Sequence, residues 1–243
     1  MKHTTFFYSP LLMQFDNLTH ACTTQNHGNI AFHVNDNIHD VITRHKILAE
    51  KLGYNYEDLL YMKQIHSDHI HIRKSTDTFY TPVEADALIT NQKNKPIMVM
   101  SADCTAVLLY APEHEVIAVA HVGRQGAMKG ILTKLIHCFQ DQFCVQPREI
   151  YAATMPNICT NCYEINATIA QDVITRNLEY SLHYLDGKIY LDIRSIIQTQ
   201  LLDAGVLPQH IESTTLCNCC QSDQFYSYRK DANCGRFGAI LML

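Results

Sequence analysis

A chain of 243 residues that is 47% hydrophobic and 18% charged has the make-up of a globular protein with a sizeable core. Its formal charge of −5 and the lack of any Lys/Arg run exclude the basic footprint of a general nucleic-acid binder, and no apolar run approaches the roughly 20 residues of a membrane span. The opening MKHTTFFYSPLLMQF holds no sustained apolar core and no small-residue cleavage site, so a cytoplasmic protein with reduced thiols is expected.

Taken in chain order, residues 35–53 read as a helix with Ile42, His45, Ile47, Leu48 and Leu52 on one stripe and Gly53 as its stop. Residues 64–73, QIHSDHIHIR, alternate in their second half as a strand does. ADALIT, PIMVMSA, TAVLLY and VIAVAH are apolar runs of strand length. A helix is expected over about 126–140, with Ile131, Leu132, Leu135, Ile136 and Phe139 on one side. Further helices are expected over 164–179 and 192–204, the second ended by Gly205, and FGAILML closes the chain as a buried strand. There is no repeat, linker or low-complexity tract. The pattern is that of an α+β fold, a single layered domain over 1–243 with mixed β-sheets flanked by helices. Nothing in it speaks to an oligomeric state.

Ten cysteines and fourteen histidines stand out. Cys22, Cys138 and Cys144 lie in no motif and read as small core hydrophobes. The stretch SADCTAVLLYAPEHEVIAVAHVGRQG, 101–126, is different. APEH is a turn candidate, because Pro112 presets φ for a type I turn. A four-residue loop would pair Tyr110 with Glu115 and bring Cys104 directly opposite His121 on one face. The side chains would then be about 5 Å apart, close enough to share a metal ion. A slip by one residue would separate them. Catalytic zinc usually takes three protein ligands, and His66, His69 and His71 in KQIHSDHIHI are all candidates for the third.

Cys159-x-x-Cys162 and the later CNCC, 217–220, suggest a separate structural zinc site. The second half does not read as a two-residue-spaced knuckle, which makes this the minor expectation. The order H-x-E then P-C-x-x-C of cytidine-deaminase-type enzymes is absent.

Seven ordered blocks carry a family resemblance. KQIHS resembles KQVHG, EADALIT resembles ADALVT, and SADCTAVLLY resembles ADCLPVLL. AVAHVGRQGAMKGIL is similar to AAAHAGWRGLxxGVL, and MPNICTNCYEI to GPxIGPCCYEV. LDIRSIIQTQLLDAGV is similar to LDLxxxNxxQLxxAGV, and FYSYRKDANCGRFGAILML to FFSYRRDxxTGRxAxxIWL. The chain thus resembles the laccase-domain, or polyphenol-oxidase-like (YfiH-like), family.

That resemblance implies a metal and catalytic set of His66, Cys104 and His121, holding zinc, with copper as the other option. It implies purine nucleosides and phosphate as partners, with phosphorolysis of adenosine, inosine, guanosine and methylthioadenosine and deamination of adenosine. Asp103 is expected either as an acid/base or as a supporting carboxylate. Substrate and phosphate contacts are expected from Gln64, Arg124, Gln125, Lys129 and Arg229, since the glycine-flanked HVGRQGAMKG opens a helix with free N–H groups. GRQG replaces the family's GWRG, and HACTTQ replaces HGFxTR, so two family arginines become Gln125 and Gln25. Two alternatives are editing of cytoplasmic peptidoglycan precursors with Cys104 as nucleophile, and copper-dependent polyphenol oxidation.

Overall fold

The computed structural model describes residues 5–243; residues 1–4, the head of the stretch read for a secretory signal, lie outside the described residues. The strands are β1 (Thr19–Cys22), β2 (Leu60–Lys63), β3 (Ile70–Ile72), β4 (Val83–Glu84), β5 (Ala87–Thr90), β6 (Ile97–Ser101), β7 (Thr105–Ala111), β8 (Val116–Val122), β9 (Tyr151–Thr154), β10 (Glu164–Ile165), β11 (Leu182–Leu185), β12 (Lys188–Leu191), β13 (Ile211–Glu212) and β14 (Phe237–Met242). The helices are α1 (Ile38–Leu52), α2 (Arg124–Met128), α3 (Ile131–Phe143), α4 (Ala167–Thr175) and α5 (Ile193–Asp203).

One sheet runs β1-β14-β6-β2-β4, a second runs β13-β9-β7-β8-β5-β3, and a small third runs β10-β12-β11. The β7–β8 hairpin explains the layering. Its residues alternate between two cores: Val107, Leu109, Ala118, Ala120 and Val122 pack with Leu132, Leu135 and Ile136 of α3 and Ile197 of α5. Leu108, Tyr110, Ile117 and Val119 pack against Ile97, Val99, Ala239 and Leu241 of the five-stranded sheet. The far face of that sheet, through Met98, Met100 and Ile240, meets Leu48 of α1. Strands covered on both sides can be apolar throughout, which is why TAVLLY and VIAVAH show no polar alternation. The order is helices, six-stranded sheet, five-stranded sheet, helix: an α+β layered fold.

Three connections repeat one move. Strand β2 lies between β4 and β6 and runs parallel to both in the five-stranded sheet, and the chain leaves the carboxyl end of each of the three to enter the six-stranded sheet as β3, β5 or β7. The steps comprise residues 64–69, 85–86 and 102–104. All three crossings lie at the same end of the sandwich, and they carry His66, Asp86 and Cys104.

Several elements differ from the sequence reading. The hairpin pairs Tyr110 with Ile117 and Ala106 with His121, because Pro112–His114 forms a 3-10 turn and Glu115 takes φ 47°. His121 therefore faces Ala106, and Cys104 lies just before the strand, on the diagonal. The slip is two residues along the strand, which preserves the face; a slip of one would not. The strand expected over 64–73 shortens to Ile70–Ile72, since His66 at φ 56° breaks the extended run. The helix expected over 126–140 is two helices, α2 and α3, divided at Gly130, whose φ is 73°. In α1 the buried stripe is Val41, His45, Leu48 and Ala49, and Ile47 faces solvent. The helix expected over 164–179 contracts to Ala167–Thr175, with Glu164–Ile165 in β10. The β11–β12 hairpin turns on Asp186-Gly187, both at positive φ, the backbone that a tight two-residue turn requires; this DG signal is visible in LHYLDGKIYL. Cys22 is buried, but Cys138 is half-buried and Cys144 is exposed.

Candidate active site

The crossings meet at a cavity of about 670 Å³, whose lining includes His66, Asp103, Cys104, His121, Arg124 and Tyr163. His66, Cys104 and His121 each offer a ligand atom, and these atoms lie within 4.8 Å of one another. His69 is exposed, and His71 pairs through Nε2 with Asp77 at 2.6 Å, so neither joins the cluster.

Asp86, which the sequence reading did not single out, builds this site. It is fully buried. One oxygen, Oδ1, accepts from His121 Nδ1 at 2.8 Å and from the His66 backbone N–H at 3.2 Å. The other, Oδ2, accepts from the Ser67 N–H at 2.6 Å, the Ser67 hydroxyl at 2.7 Å and the Ile65 N–H at 3.3 Å. One carboxylate thus holds the left-handed turn that presents His66, and it also fixes the imidazole of His121. With Nδ1 engaged by Asp86, the other ring nitrogen of His121 is left for Cys104, the arrangement common behind metal-ligating histidines. The detectable signal was an acidic residue directly before a run of buried strand residues, where an unpaired charge is too costly to persist.

Electrostatics agree with the geometry. Burial works to push Asp86 up, but the hydrogen bonds from His121 and Ser67 win and hold it down at about 2. Burial raises the Cys104 thiol, yet His121 and His66 draw it down to about 6. Burial lowers His121, while the Cys104 sulfur and Asp86 raise it to about 9. The cluster therefore favours a thiolate at Cys104 beside a charged imidazole at His121. Gly123 makes this possible sterically: a Cβ there would sit 2.9 Å from Cys104 Sγ and 3.3 Å from His66 Cδ2. Two nitrogens and one sulfur on one face, with no side chain between them, fit a zinc or copper ion.

Asp103 lines the cavity at φ 89°. Its Oδ2 accepts the Arg229 backbone N–H at 2.7 Å, and its Oδ1 is buried without a partner. Burial raises its carboxyl above the ordinary value, and the Arg229 N–H works against that. Arg124, the first residue of α2, lines the cavity. The Arg229 guanidinium also lines it, spans the Tyr163 ring at 5.4 Å and donates twice to the Glu164 carbonyl at 3.1 Å. Tyr163, Tyr228, His33 and Arg236 also line the cavity, and the sequence reading gave none of these four a site role. Gln64 reaches the cavity rim, but its amide is committed: it donates to the Met100 carbonyl at 2.7 Å and accepts the Met100 N–H at 2.8 Å. Gln125 and Lys129 are not among the lining residues; they follow Arg124 around α2, and Lys129 is exposed at its end. Gln25 spends its amide on the carbonyls of Ser222 and Phe225.

A second cluster is corrected from the sequence reading. Cys159, Cys162, Cys217 and Cys220 also converge within 4.8 Å. Cys217 and Cys220 are themselves a C-x-x-C pair with Cys219 between them, so the second half is a two-residue-spaced knuckle after all.

Among the described residues no helix is long and apolar enough to cross a membrane. The chain is 32% identical over 216 residues to a purine nucleoside phosphorylase of Corynebacterium glutamicum, covering 88% of this chain and 86% of that one. It is 29% identical over 221 residues to a purine nucleoside phosphorylase of Campylobacter jejuni, covering 88% and 90%. The crystal structure of YlmD from Geobacillus stearothermophilus superimposes with a TM-score of 0.91 at 25% identity, covering 100% of this chain and 97% of that one. That of the Bacillus licheniformis hypothetical protein YfiH gives 0.91 at 25% identity, covering 98% of each. Residues 20–243 match the model of the multi-copper polyphenol oxidoreductase laccase family, and with that match and these relatives the chain belongs to the laccase-domain family.

Proposed function

We propose that this chain is a metal-dependent purine nucleoside phosphorylase, a transferase that also deaminates adenosine. The observation that carries the reading is the joint placement of His66, Cys104 and His121 at the floor of a cavity with Arg124, Arg229 and Arg236 along its walls. The chain's similarity to purine nucleoside phosphorylases of Corynebacterium glutamicum and Campylobacter jejuni supports it. The cavity volume lies within the roughly 300–1,000 Å³ of small-molecule sites.

In phosphorolysis a phosphate oxygen attacks the ribose anomeric carbon, the glycosidic C–N bond breaks, and the purine leaves with the bonding pair and takes a proton. Arg124, which lines the cavity, would hold the anionic nucleophile, since guanidinium–phosphate contacts are charge-assisted and bidentate. Tyr163, backed by Arg229, offers a flat wall for the base. Asp103, a cavity-lining carboxyl whose pKa burial raises, is the group proposed to hand a proton to the leaving purine. Asp86 fixes the orientation of the His121 ring. Zinc held by His66, Cys104 and His121 would supply Lewis acidity at the cavity floor. Zinc suits a two-nitrogen, one-sulfur donor set, whereas multicopper oxidation calls for several histidine-paired sites, and among the described residues the other cluster is all sulfur. Cytoplasmic residence remains part of this reading.

The line Cys104–His121–Asp86 favours a second reading, a thiol hydrolase in which Cys104 is the nucleophile. Adenosine, inosine, guanosine and methylthioadenosine incubated with the zinc-loaded chain, with and without phosphate and a chelator, separate the two. Phosphate-dependent release of free base, phosphate-independent inosine from adenosine, and loss of both on chelation or in His121→Ala are expected. Nucleosides left intact while copper-loaded protein oxidises phenols would overturn the proposal, as would hydrolysis of peptidoglycan precursors that survives chelation.

A further inference from the structure

Away from the cavity floor, two short turns face each other. Cys159 caps a 3-10 turn over Thr160–Cys162 that follows β9. Opposite it, Cys217 and Cys220 bracket the turn that follows Leu216. The two segments are stitched by a parallel bridge between Asn157 and Cys217, with the Asn218 N–H donating to the Asn157 carbonyl at 3.2 Å. Four sulfurs then fall within 4.8 Å of one another, with Cys162 and Cys220 at 3.5 Å. Tetrahedral zinc with Zn–S bonds near 2.3 Å places its sulfurs about 3.8 Å apart, close to the Cys162–Cys220 separation and within about an ångström of the widest separation in the cluster. A disulfide needs about 2.05 Å, and all four cysteines are free.

Two further features fit a cation held by thiolates. The Cys159 backbone N–H donates to Cys217 Sγ at 3.2 Å, a contact that stabilises sulfur carrying negative charge. Arg194 lies against both turns, donating to Asn157 Oδ1 at 2.7 Å, the Asn157 carbonyl at 3.2 Å and the Leu216 carbonyl at 2.7 Å. It brings a fixed positive charge beside what would be an anionic centre.

We propose that Cys159, Cys162, Cys217 and Cys220 hold a structural zinc ion in a closed four-thiolate site, separate from the His66/Cys104/His121 cluster. Its role follows from what it joins. The first turn carries Ile158 and Tyr163, and the second leads into Tyr228 and Arg229, and all four line the cavity. Ile158 also donates its N–H to the Asp103 carbonyl at 2.9 Å. The ion would pin one wall of the cavity to another without touching the reacting atoms, and the proposal does not rest on what the cavity binds.

The test is metal content with the first cluster removed. The full chain, purified under reducing conditions, should carry about two zinc ions, and His66→Ala/Cys104→Ala about one. That double variant, loaded with cobalt(II), should show the intense sulfur-to-cobalt charge transfer of a four-thiolate centre, unchanged by Cys219→Ser. Adding Cys162→Ser/Cys220→Ser should abolish it. If that variant does not fold, the His66→Ala/Cys104→Ala protein decides alone: a strong chelator should unmask about four extra thiols to a thiol reagent and lower the thermal midpoint. A His66→Ala/Cys104→Ala protein that binds no zinc or cobalt, or one whose Cys162 and Cys220 are recovered as a disulfide, would overturn the proposal.

Discussion

Asp86 Oδ1 stands 2.8 Å from His121 Nδ1, with both side chains almost wholly out of solvent. This contact couples the imidazole on the six-stranded sheet to the 85–86 crossing, and the same carboxylate accepts the His66 N–H of the neighbouring crossing. Removing the negative charge while keeping the shape, in Asp86→Asn, leaves the amide oxygen able to accept from Nδ1 but no longer able to favour the charged pair. Supporting partners of this kind are typically worth about 10–100-fold in metal affinity or activity. A fall of that size in zinc affinity, measured by competition with a chromophoric chelator, is expected for Asp86→Asn. Asp86→Asn also turns an NH2 donor toward the Ser67 and Ile65 N–H groups that Oδ2 now accepts, and Asp86→Ala should be worse still, because it removes the acceptor for His121 as well. Unchanged zinc affinity in Asp86→Asn would show that His121 is held by its backbone alone.

Gly123 is required for space, since its φ of −82° is open to any residue. In Gly123→Ala the new methyl would meet Cys104 Sγ at 2.9 Å and His66 Cδ2 at 3.3 Å. Either side chain must rotate out of the cluster. The expected outcome is at least a tenfold loss of turnover and weakened zinc binding at the first cluster, with a native circular dichroism spectrum; substitutions that shift reacting groups by about 1 Å reach 100-fold. Full turnover in this variant would mean that Cys104 does not need its present position.

How much of this was legible beforehand divides along local and non-local lines. The β7–β8 hairpin was readable because its signal is local, a proline turn between two apolar runs, and its face came out right despite a register error of two residues. Cys104 and His121 follow from that face. His66 could not be chosen over His69 and His71 by spacing, because its selection depends on a positive-φ turn held by a carboxylate twenty residues later in the chain. Asp86 itself was hidden for the same reason: a buried acid is explained only by partners that the fold brings to it. The four cysteines met across a crossing that no local pattern predicts, and CNCC concealed its knuckle by putting a third cysteine inside it.

His45 offers a stability test away from the site. It is fully buried in α1, stacks on Phe32 with centroids 5.4 Å apart and bonds the Ile30 carbonyl through Nε2 at 2.8 Å. Burial lowers its pKa from 6.5 to about 4, with the Ile30 hydrogen bond opposing. The folded state thus takes up its proton only near pH 4, and the unfolded chain does so near pH 6.5. Stability from this residue is complete above pH 6.5 and is lost as the pH falls toward 4, by roughly 3 kcal/mol over the whole window. Urea unfolding at pH 7 and pH 5 should show His45→Gln less stable at pH 7 but with a smaller loss on acidification. An equal loss in both proteins would remove His45 as a source of the pH dependence.

In the proposed reaction Arg124 is the residue expected to hold phosphate. The family motif places its arginine one position later, where this chain has Gln125, and Gln125 is absent from the cavity lining while Arg124 is present. At the head of α2, Arg124 is also close enough to Tyr163 to lower the phenol's pKa, although burial of that ring raises it overall. It is therefore placed on the same side as the proposed base wall. Hydrogen bonds to charged groups contribute about 1.5–3 kcal/mol, so Arg124→Ala should raise the apparent KM for phosphate roughly tenfold or more. The KM for inosine should move much less. Deamination of adenosine serves as the internal control, because water and not phosphate is the nucleophile there, and its rate should stay within about twofold. Arg124→Lys should recover part of the phosphate affinity, since it restores the charge without the bidentate fork. If phosphate dependence is unchanged in Arg124→Ala, the anion is held elsewhere on the wall, and Arg229→Ala and Arg236→Ala become the variants that should carry the loss.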